Sequence, residues 1–172
     1  MSSFGNRKSL LATQTWRDEA EIRIYNEEYE LIGSFGSFGK GDDQFKVPYL
    51  CVDEASRRVY VGAGRLKRVS VFDEFGNFIF KFGEGILECC LDIDIHQTQG
   101  VVAVADRERV VLFSLEGNLL KTSARFRFWY QCVTWIDANR LIVCAPFSNR
   151  VVKMNSHSLK VLSKLQSSVG WY

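Results

Sequence analysis

The pentapeptide Arg68-Val69-Ser70-Val71-Phe72 recurs along the chain, and its recurrence constrains the fold more than any other feature. It returns 41 positions later as Arg109-Val110-Val111-Leu112-Phe113, and after another 41 as Arg150-Val151-Val152-Lys153-Met154. Towards the N-terminus, Glu21-Ile22-Arg23-Ile24-Tyr25 lies 47 positions before it, with Glu in place of the Arg. A fixed period of this size marks a chain assembled from stacked copies of one supersecondary unit.

The other apolar runs keep step with this ruler. One family precedes it at Val59-Tyr60-Val61, Val101 to Val104 and Leu141-Ile142-Val143, with Leu10-Leu11-Ala12 as a faint first copy. An earlier family runs Tyr49 to Val52, Cys90 to Ile93 and Cys132 to Trp135. A last one runs Leu31 to Phe35, Phe78 to Phe82, Leu119 to Thr122 and Val161 to Leu165. Each run is short, rich in β-branched and aromatic residues, and bounded by turn signals, which is a strand pattern. The Gly76-Asn77 and Gly117-Asn118 pairs supply the positive φ angles of tight hairpins before the last run. No stretch sustains a helical period. Four antiparallel strands per unit, at a period of roughly 40 to 50 residues, is the pattern of a β-propeller blade. The reading is therefore an all-β propeller built from four-stranded blades, each hiding a face against its neighbours.

Bulk properties narrow the class. The 172 residues allow one domain or a piece of a larger one, and 47% hydrophobic with 24% charged residues suits a soluble globular domain. A net charge of +2 is too small to imply nucleic-acid binding by itself. No apolar run approaches the roughly 20 residues that span a bilayer, and the first residues lack the apolar core of a signal peptide. Cys51, Cys89, Cys90, Cys132 and Cys144 form no C-x-x-C pair, and each falls in a β-patterned run. They read as buried reduced thiols of a cytoplasmic protein.

The segment from Phe35 to Gly83 resembles an NHL repeat. Phe35, Gly36, Gly39, Gln44, Phe45, Pro48, Val52, Asp53, Arg68, Val69, Val71, Phe72, Gly76, Phe82 and Gly83 match its pattern. Later copies keep Asp106-Arg107 with Arg109-Val110, and Asn149-Arg150-Val151, but lack the Gln-Phe-x-x-Pro loop. The chain is similar to the C-terminal region of tripartite-motif NHL proteins, and the resemblance implies a six-bladed propeller. About three and three-quarter blades are then present: a partial blade over 1–36 without its first strand, blades over 37–83, 84–124 and 125–168, and the start of another over 169–172. The alternative is a four-bladed ring closed by the termini. An open array would expose apolar blade faces and favour self-association.

Few residues suit catalysis. His96 and His157 fall in turns of different blades and read as exposed, not as metal ligands. Asp92 and Asp94 share one face of a first strand; Asp94 aligns with Asp53 and Asp137 and reads as a turn former, whereas Asp92 is an acid within a strand. Gly62-Ala63-Gly64 reads as a turn. No catalytic residue, metal or cofactor is expected.

The charge pattern is more informative. The loops joining strands two and three, and strand four to the next strand one, share a rim of a propeller. On it fall Arg65, Lys67, Arg68, Arg107, Arg109, Arg125, Arg127 and Arg150, with Trp129 and Tyr130 in the run Arg125-Phe126-Arg127-Phe128-Trp129-Tyr130. The opposite rim is acidic. Arginines interleaved with aromatics can hold phosphates while bases stack on the rings; alternatively Phe126 and Phe128 cover the core and the arginines solubilise it. The expectation is a non-enzymatic module binding a protein or single-stranded RNA through the basic rim, with no membrane role. The resemblance also implies a second role, substrate recognition for a RING-type ubiquitin ligase whose catalytic part lies elsewhere. A propeller enzyme with a channel metal is the third reading.

Overall fold

The computed structural model describes residues 2–4, 9–16 and 19–166, with side chains over 20–165. It divides into two compact units, Met1–Cys90 and Leu91–Tyr172.

Alternating apolar residues and well-placed turns produce short strands that follow one another across each sheet. In the first unit these are β1 (Ser2–Phe4), β2 (Ser9–Trp16), β3 (Glu19–Tyr25) and β4 (Leu31–Phe35), then the two-residue β5 (Ser37–Phe38) and β6 (Gln44–Phe45). β7 (Pro48–Asp53), β8 (Arg58–Ala63), β9 (Arg68–Phe72) and β10 (Phe78–Phe82) complete it. The second unit holds β11 (Cys90–His96), β12 (Val101–Asp106), β13 (Arg109–Ser114) and β14 (Leu119–Thr122). β15 (Cys132–Asp137), β16 (Arg140–Ala145), β17 (Arg150–Asn155) and β18 (Val161–Gln166) follow. The four-stranded sheets have the orders β1-β2-β3-β4, β7-β8-β9-β10, β11-β12-β13-β14 and β15-β16-β17-β18, while β5 and β6 form a small parallel pair.

One expectation is corrected at the start. The first sheet has four strands, because Ser2–Phe4 pairs with Ser9–Leu11 of β2. Three residues with a single aromatic carry no period, so the sequence pattern missed them. The next blade expected to start at 169–172 lies outside the described residues.

The recurring pentapeptide forms the third strand of each four-stranded sheet, and its surroundings repeat with it. The next residue caps the turn each time. Asn26 Oδ1 accepts from Glu30 N at 2.8 Å, Asp73 Oδ1 from Phe75 N and Asn77 N at 2.9 and 2.8 Å. Ser114 Oγ accepts from Glu116 N at 3.2 Å, and Asn155 Oδ1 from Ser158 N at 2.8 Å. Gly76 and Gly117 take the positive φ required in two of these turns, at 85° and 84°. Tyr29 and Leu159 adopt the same region in the others, at 63° and 53°. A β-bulge follows in each four-stranded sheet: the strand-four register skips Ile32, Ile79, Leu120 and Leu162. All four skipped residues are exposed aliphatics. A bulge on an edge strand twists it and interrupts its ladder, which protects that edge from pairing with another chain.

The core of each unit lies between its sheets. In the first, Ala20 and Ile22 of β3 meet Val52, Val59, Val61, Ala63 and Phe72. Phe72 is ringed by Phe35, Phe45 and Phe78 at centroid distances of 5.0, 6.3 and 5.9 Å. In the second, Ala103, Ala105, Val110 and Leu112 meet Val133, Leu141, Val143, Val152 and Met154.

Candidate interaction surface

The repeat's arginine opens the third strand three times and does three different things. In the first unit Arg68 is 4% exposed. Its guanidinium donates to the carbonyls of Lys40 at 3.4 Å and Gln44 at 3.2 Å, and to that of Gly41. It also pairs with Glu84 at 3.5 Å. Gln44 pins the same loop from within, its Oε1 accepting from Lys40 N and Gly41 N at 3.1 and 2.9 Å. Side chains at Gly36 and Gly39 would collide with the Phe45 ring and the Gln44 amide, so these two glycines allow the loop to close. Arg68 is thus removed from the predicted surface: the loop folds over it. Arg65 and Lys67 beside it remain exposed.

Among the described residues of the second unit no such loop exists, and the arginines turn elsewhere. Arg109 Nε donates to Asp106 Oδ2 at 2.8 Å, and that carboxylate is buried. Arg150 lies over the Phe128 ring, 4.4 Å from its centroid.

The segment Arg125 to Tyr130 replaces the missing loop. Phe126 N donates to Glu108 O at 2.7 Å and Tyr130 N to Arg107 O at 2.6 Å, which ties the segment to the turn between β12 and β13. Phe126 and Phe128 pack against the core, as one of the two sequence readings held. Tyr130 is fully buried and leaves the predicted surface as well. It sits two residues before β15, where Phe45 and Leu87 sit three before β7 and β11, and all three are buried. A large apolar residue just ahead of each first strand is thus a recurring core position, although its spacing from the strand varies by one residue. Burial pushes the Tyr130 hydroxyl well above the ordinary phenol range, and its oxygen has no hydrogen-bond partner.

What stays outside is a group of basic and aromatic residues. Trp129 is 46% exposed, and the Arg107 guanidinium lies over its ring at 4.8 Å. Arg107 has a positive φ of 53°, an uncommon conformation for a side-chain-bearing residue. Arg125 is exposed and 3.8 Å from Glu108, and Arg127 is exposed in the same segment. Of the predicted rim, the second unit therefore brings together Arg107, Arg125, Arg127, Trp129 and Arg150. Arg109 is held back by Asp106.

The two acids of β11 also find work. Asp92 Oδ2 accepts from Val133 N, and Asp94 Oδ2 from Trp135 N and Thr134 Oγ1, each at 2.9 Å. β15 is the edge of its sheet, so these backbone donors have no ladder partner. Asp94 is not the turn former expected by alignment. Asp53 and Asp137 do fill that role, accepting from Ala55 N and Asn139 N. Burial raises the Asp92 carboxyl above its usual range, with the neighbouring Asp94 charge adding to it. The two thiols near it on β15 and β16, Cys132 and Cys144, are also raised, by partial desolvation of the sulfur with the Asp92 charge adding to it. The expectation for the cysteines is corrected in part: Cys132 is exposed, Cys89 and Cys144 are half-buried, and Cys89 precedes its strand. His96 closes β11 and packs edge-on to Trp135 at 5.0 Å. Among the described residues, no group of three or more His, Cys, Asp and Glu could hold a metal ion, and no helix is long and apolar enough to cross a membrane.

Four sheets of sequential strands, each with the same capped turn and bulge, define a protein of the β-propeller class. No family model matches the chain. Among curated proteins it is similar to Protein brain tumor of Drosophila melanogaster, with 24% identity over 102 residues, 58% of this chain. The chain spans about 10% of the length of that relative. Among solved structures it is similar to a chain in a nidogen/laminin complex, with a TM-score of 0.72 and 12% identity. That likeness covers 92% of this chain and 59% of the other.

Proposed function

We propose that this chain is a recognition module, a segment of an NHL-type propeller whose four sheets are successive blades. It binds a macromolecular partner, protein or single-stranded RNA, through the basic and aromatic surface of its second unit. The observation that carries this reading is the Arg107–Trp129 pair. An exposed tryptophan stacked under a guanidinium, with exposed Arg127 in the same segment and Arg150 over the neighbouring Phe128, combines residue types enriched in binding hot spots. The uncommon backbone of Arg107 holds this presentation in place. Exposed aromatic rings and arginines also suit unpaired bases and phosphates. The solved neighbour comes from a complex of two proteins, which favours a protein partner here.

The test is charge reversal on the outward arginines. Arg107→Glu with Arg127→Glu should weaken partner capture at least about tenfold while thermal stability is kept. Arg65→Glu with Lys67→Glu in the first unit reports whether the surface extends there. If RNA is the partner, filter binding should fall steeply between low and physiological salt. Unchanged capture by the Arg107/Arg127 variant would refute the reading.

A further inference from the structure

A pair of thiols in the second unit is independent of the basic surface and of that reading. Cys132 opens β15 and lies directly opposite Cys144 of β16 in an antiparallel ladder, so both side chains leave the same face of the sheet. The register also fixes the kind of pair. Val133 and Trp135 turn their N–H groups to Asp92 and Asp94, away from β16, so Cys132, one residue earlier, turns its own towards β16. Cys132 and Cys144 therefore form a hydrogen-bonded pair, with Cα atoms about 5.5 Å apart. Disulfides span Cα separations of about 4.4–6.8 Å. Gln131 N donates to Cys144 O at 2.8 Å and fastens the start of the strand to the same residue. The Cys132 sulfur is within electrostatic reach of both Cys144 and Asp92. Cys132 is exposed and Cys144 half-buried, so an oxidant reaches the first sulfur directly, whereas Cys51 and Cys90 are buried.

We propose that Cys132 and Cys144 form a reversible cross-strand disulfide, with a low-molecular-weight disulfide such as oxidised glutathione as the oxidant. The Cys132 thiolate attacks one glutathione sulfur, the S–S bond of the oxidant breaks, and the departing glutathione thiolate takes up the proton that Cys132 gave to solvent. Cys144, as its thiolate, then attacks the Cys132 sulfur of the mixed disulfide. The second glutathione leaves and takes up the Cys144 proton. Two cysteine thiols give up two electrons in all, and one oxidised glutathione becomes two reduced ones. β15 is the edge of its sheet, so the bridge clasps a strand that a single ladder holds. A bridge with one exposed sulfur is of the labile kind that a reductant reopens.

The test equilibrates the native chain with glutathione buffers of rising oxidised fraction, quenches with N-ethylmaleimide and maps the cysteines by mass spectrometry. The wild-type chain should lose two alkylation sites together, and one pair of peptides joined through Cys132 and Cys144 should account for both. The bridge should exceed the Cys132–glutathione adduct at least about tenfold, because Cys144 is held opposite its target. Dithiothreitol should return both sites. Cys144→Ser should stop at the adduct on Cys132, and Cys89→Ser should bridge as wild type does. In urea the preference for this pair should disappear. A wild-type chain that stops at the adduct, joins Cys132 to Cys89, or keeps both thiols alkylatable in the most oxidising buffer overturns the proposal. Equal preference in urea overturns it too, since the fold would then play no part. The wild-type map decides the question even where a variant fails to fold. The Arg107/Arg127 variant should bridge normally, so failure of this site and failure of the basic surface give different results.

Discussion

The carboxylate of Asp94 accepts the backbone N–H of Trp135 at 2.9 Å, so a side chain on one sheet completes the hydrogen bonding of the next sheet's edge. Asp92 does the same for Val133 one step along. In a sheet ladder those donors would be paired by another strand. Here two acids at alternate positions of β11, Asp92 and Asp94, take that role. Asp94→Ala should destabilise the chain by about 1–2 kcal/mol, read from urea denaturation, because it strands a backbone donor. Asp94→Asn retains an acceptor and should cost less.

Asp92 carries a pH signature. Burial raises its folded pKa above that of the unfolded chain, so the folded state binds the proton more tightly. Its contribution is therefore fully present below the unfolded carboxyl pKa and is lost as pH rises through the folded value. Relative to wild type, Asp92→Asn should gain stability as pH rises from about 4 towards 7, and match it at the acid end. Paired denaturation curves across that range check the sign. A constant difference would contradict the assignment.

Arg68 should behave as a core residue despite its charge. Arg68→Ala leaves the carbonyls of Lys40, Gly41 and Gln44 without their donor and should cost about 2–4 kcal/mol. Arg68→Lys should not restore it, because a point ammonium cannot reach three carbonyls as a planar fork does. Arg65→Ala, three residues away and exposed, should change stability by less than about 0.5 kcal/mol.

Tyr130→Phe removes a buried hydroxyl that has no partner and should be neutral or stabilising by up to about 1 kcal/mol. Tyr130→Ala empties the space beside Phe126 and Phe128 and should cost about 3–5 kcal/mol. Thermal melts should place Tyr130→Phe at or above wild type and Tyr130→Ala well below it.

Thiol labelling gives a further check. Cys132 is exposed and Cys51 and Cys90 are buried, so Cys132 should be alkylated first in the native chain. Its raised pKa should make that reaction slower near pH 8 than with a free thiol, as mass spectrometry over time can show.

The strand order was legible because each strand repeats its apolar pattern against a fixed turn. The pentapeptide copies at Glu21, Arg68, Arg109 and Arg150 located the third strand of each four-stranded sheet. Ser2–Phe4 was not legible, since pairing with β2 gives it structure that its own residues do not signal. The bulges at Ile32, Ile79, Leu120 and Leu162 were also hidden, because one inserted residue does not disturb a short apolar run. The candidate surface was half legible. Charge and aromatic content were plain, but exposure was not. Whether an arginine reaches solvent depends on what folds over it, and only the first unit has the loop that covers Arg68.

The loop closed by Arg68, Gln44 and two glycines carries one more implication. These four are among the residues that match the repeat pattern, and their contacts are made to the loop itself, fastening the scaffold to itself. Kinship measured through them tracks how such a protein stands up, and is blind to what it holds. Two chains could share every one of these letters and answer to different partners, and two that shared none of the outward letters could still be built alike.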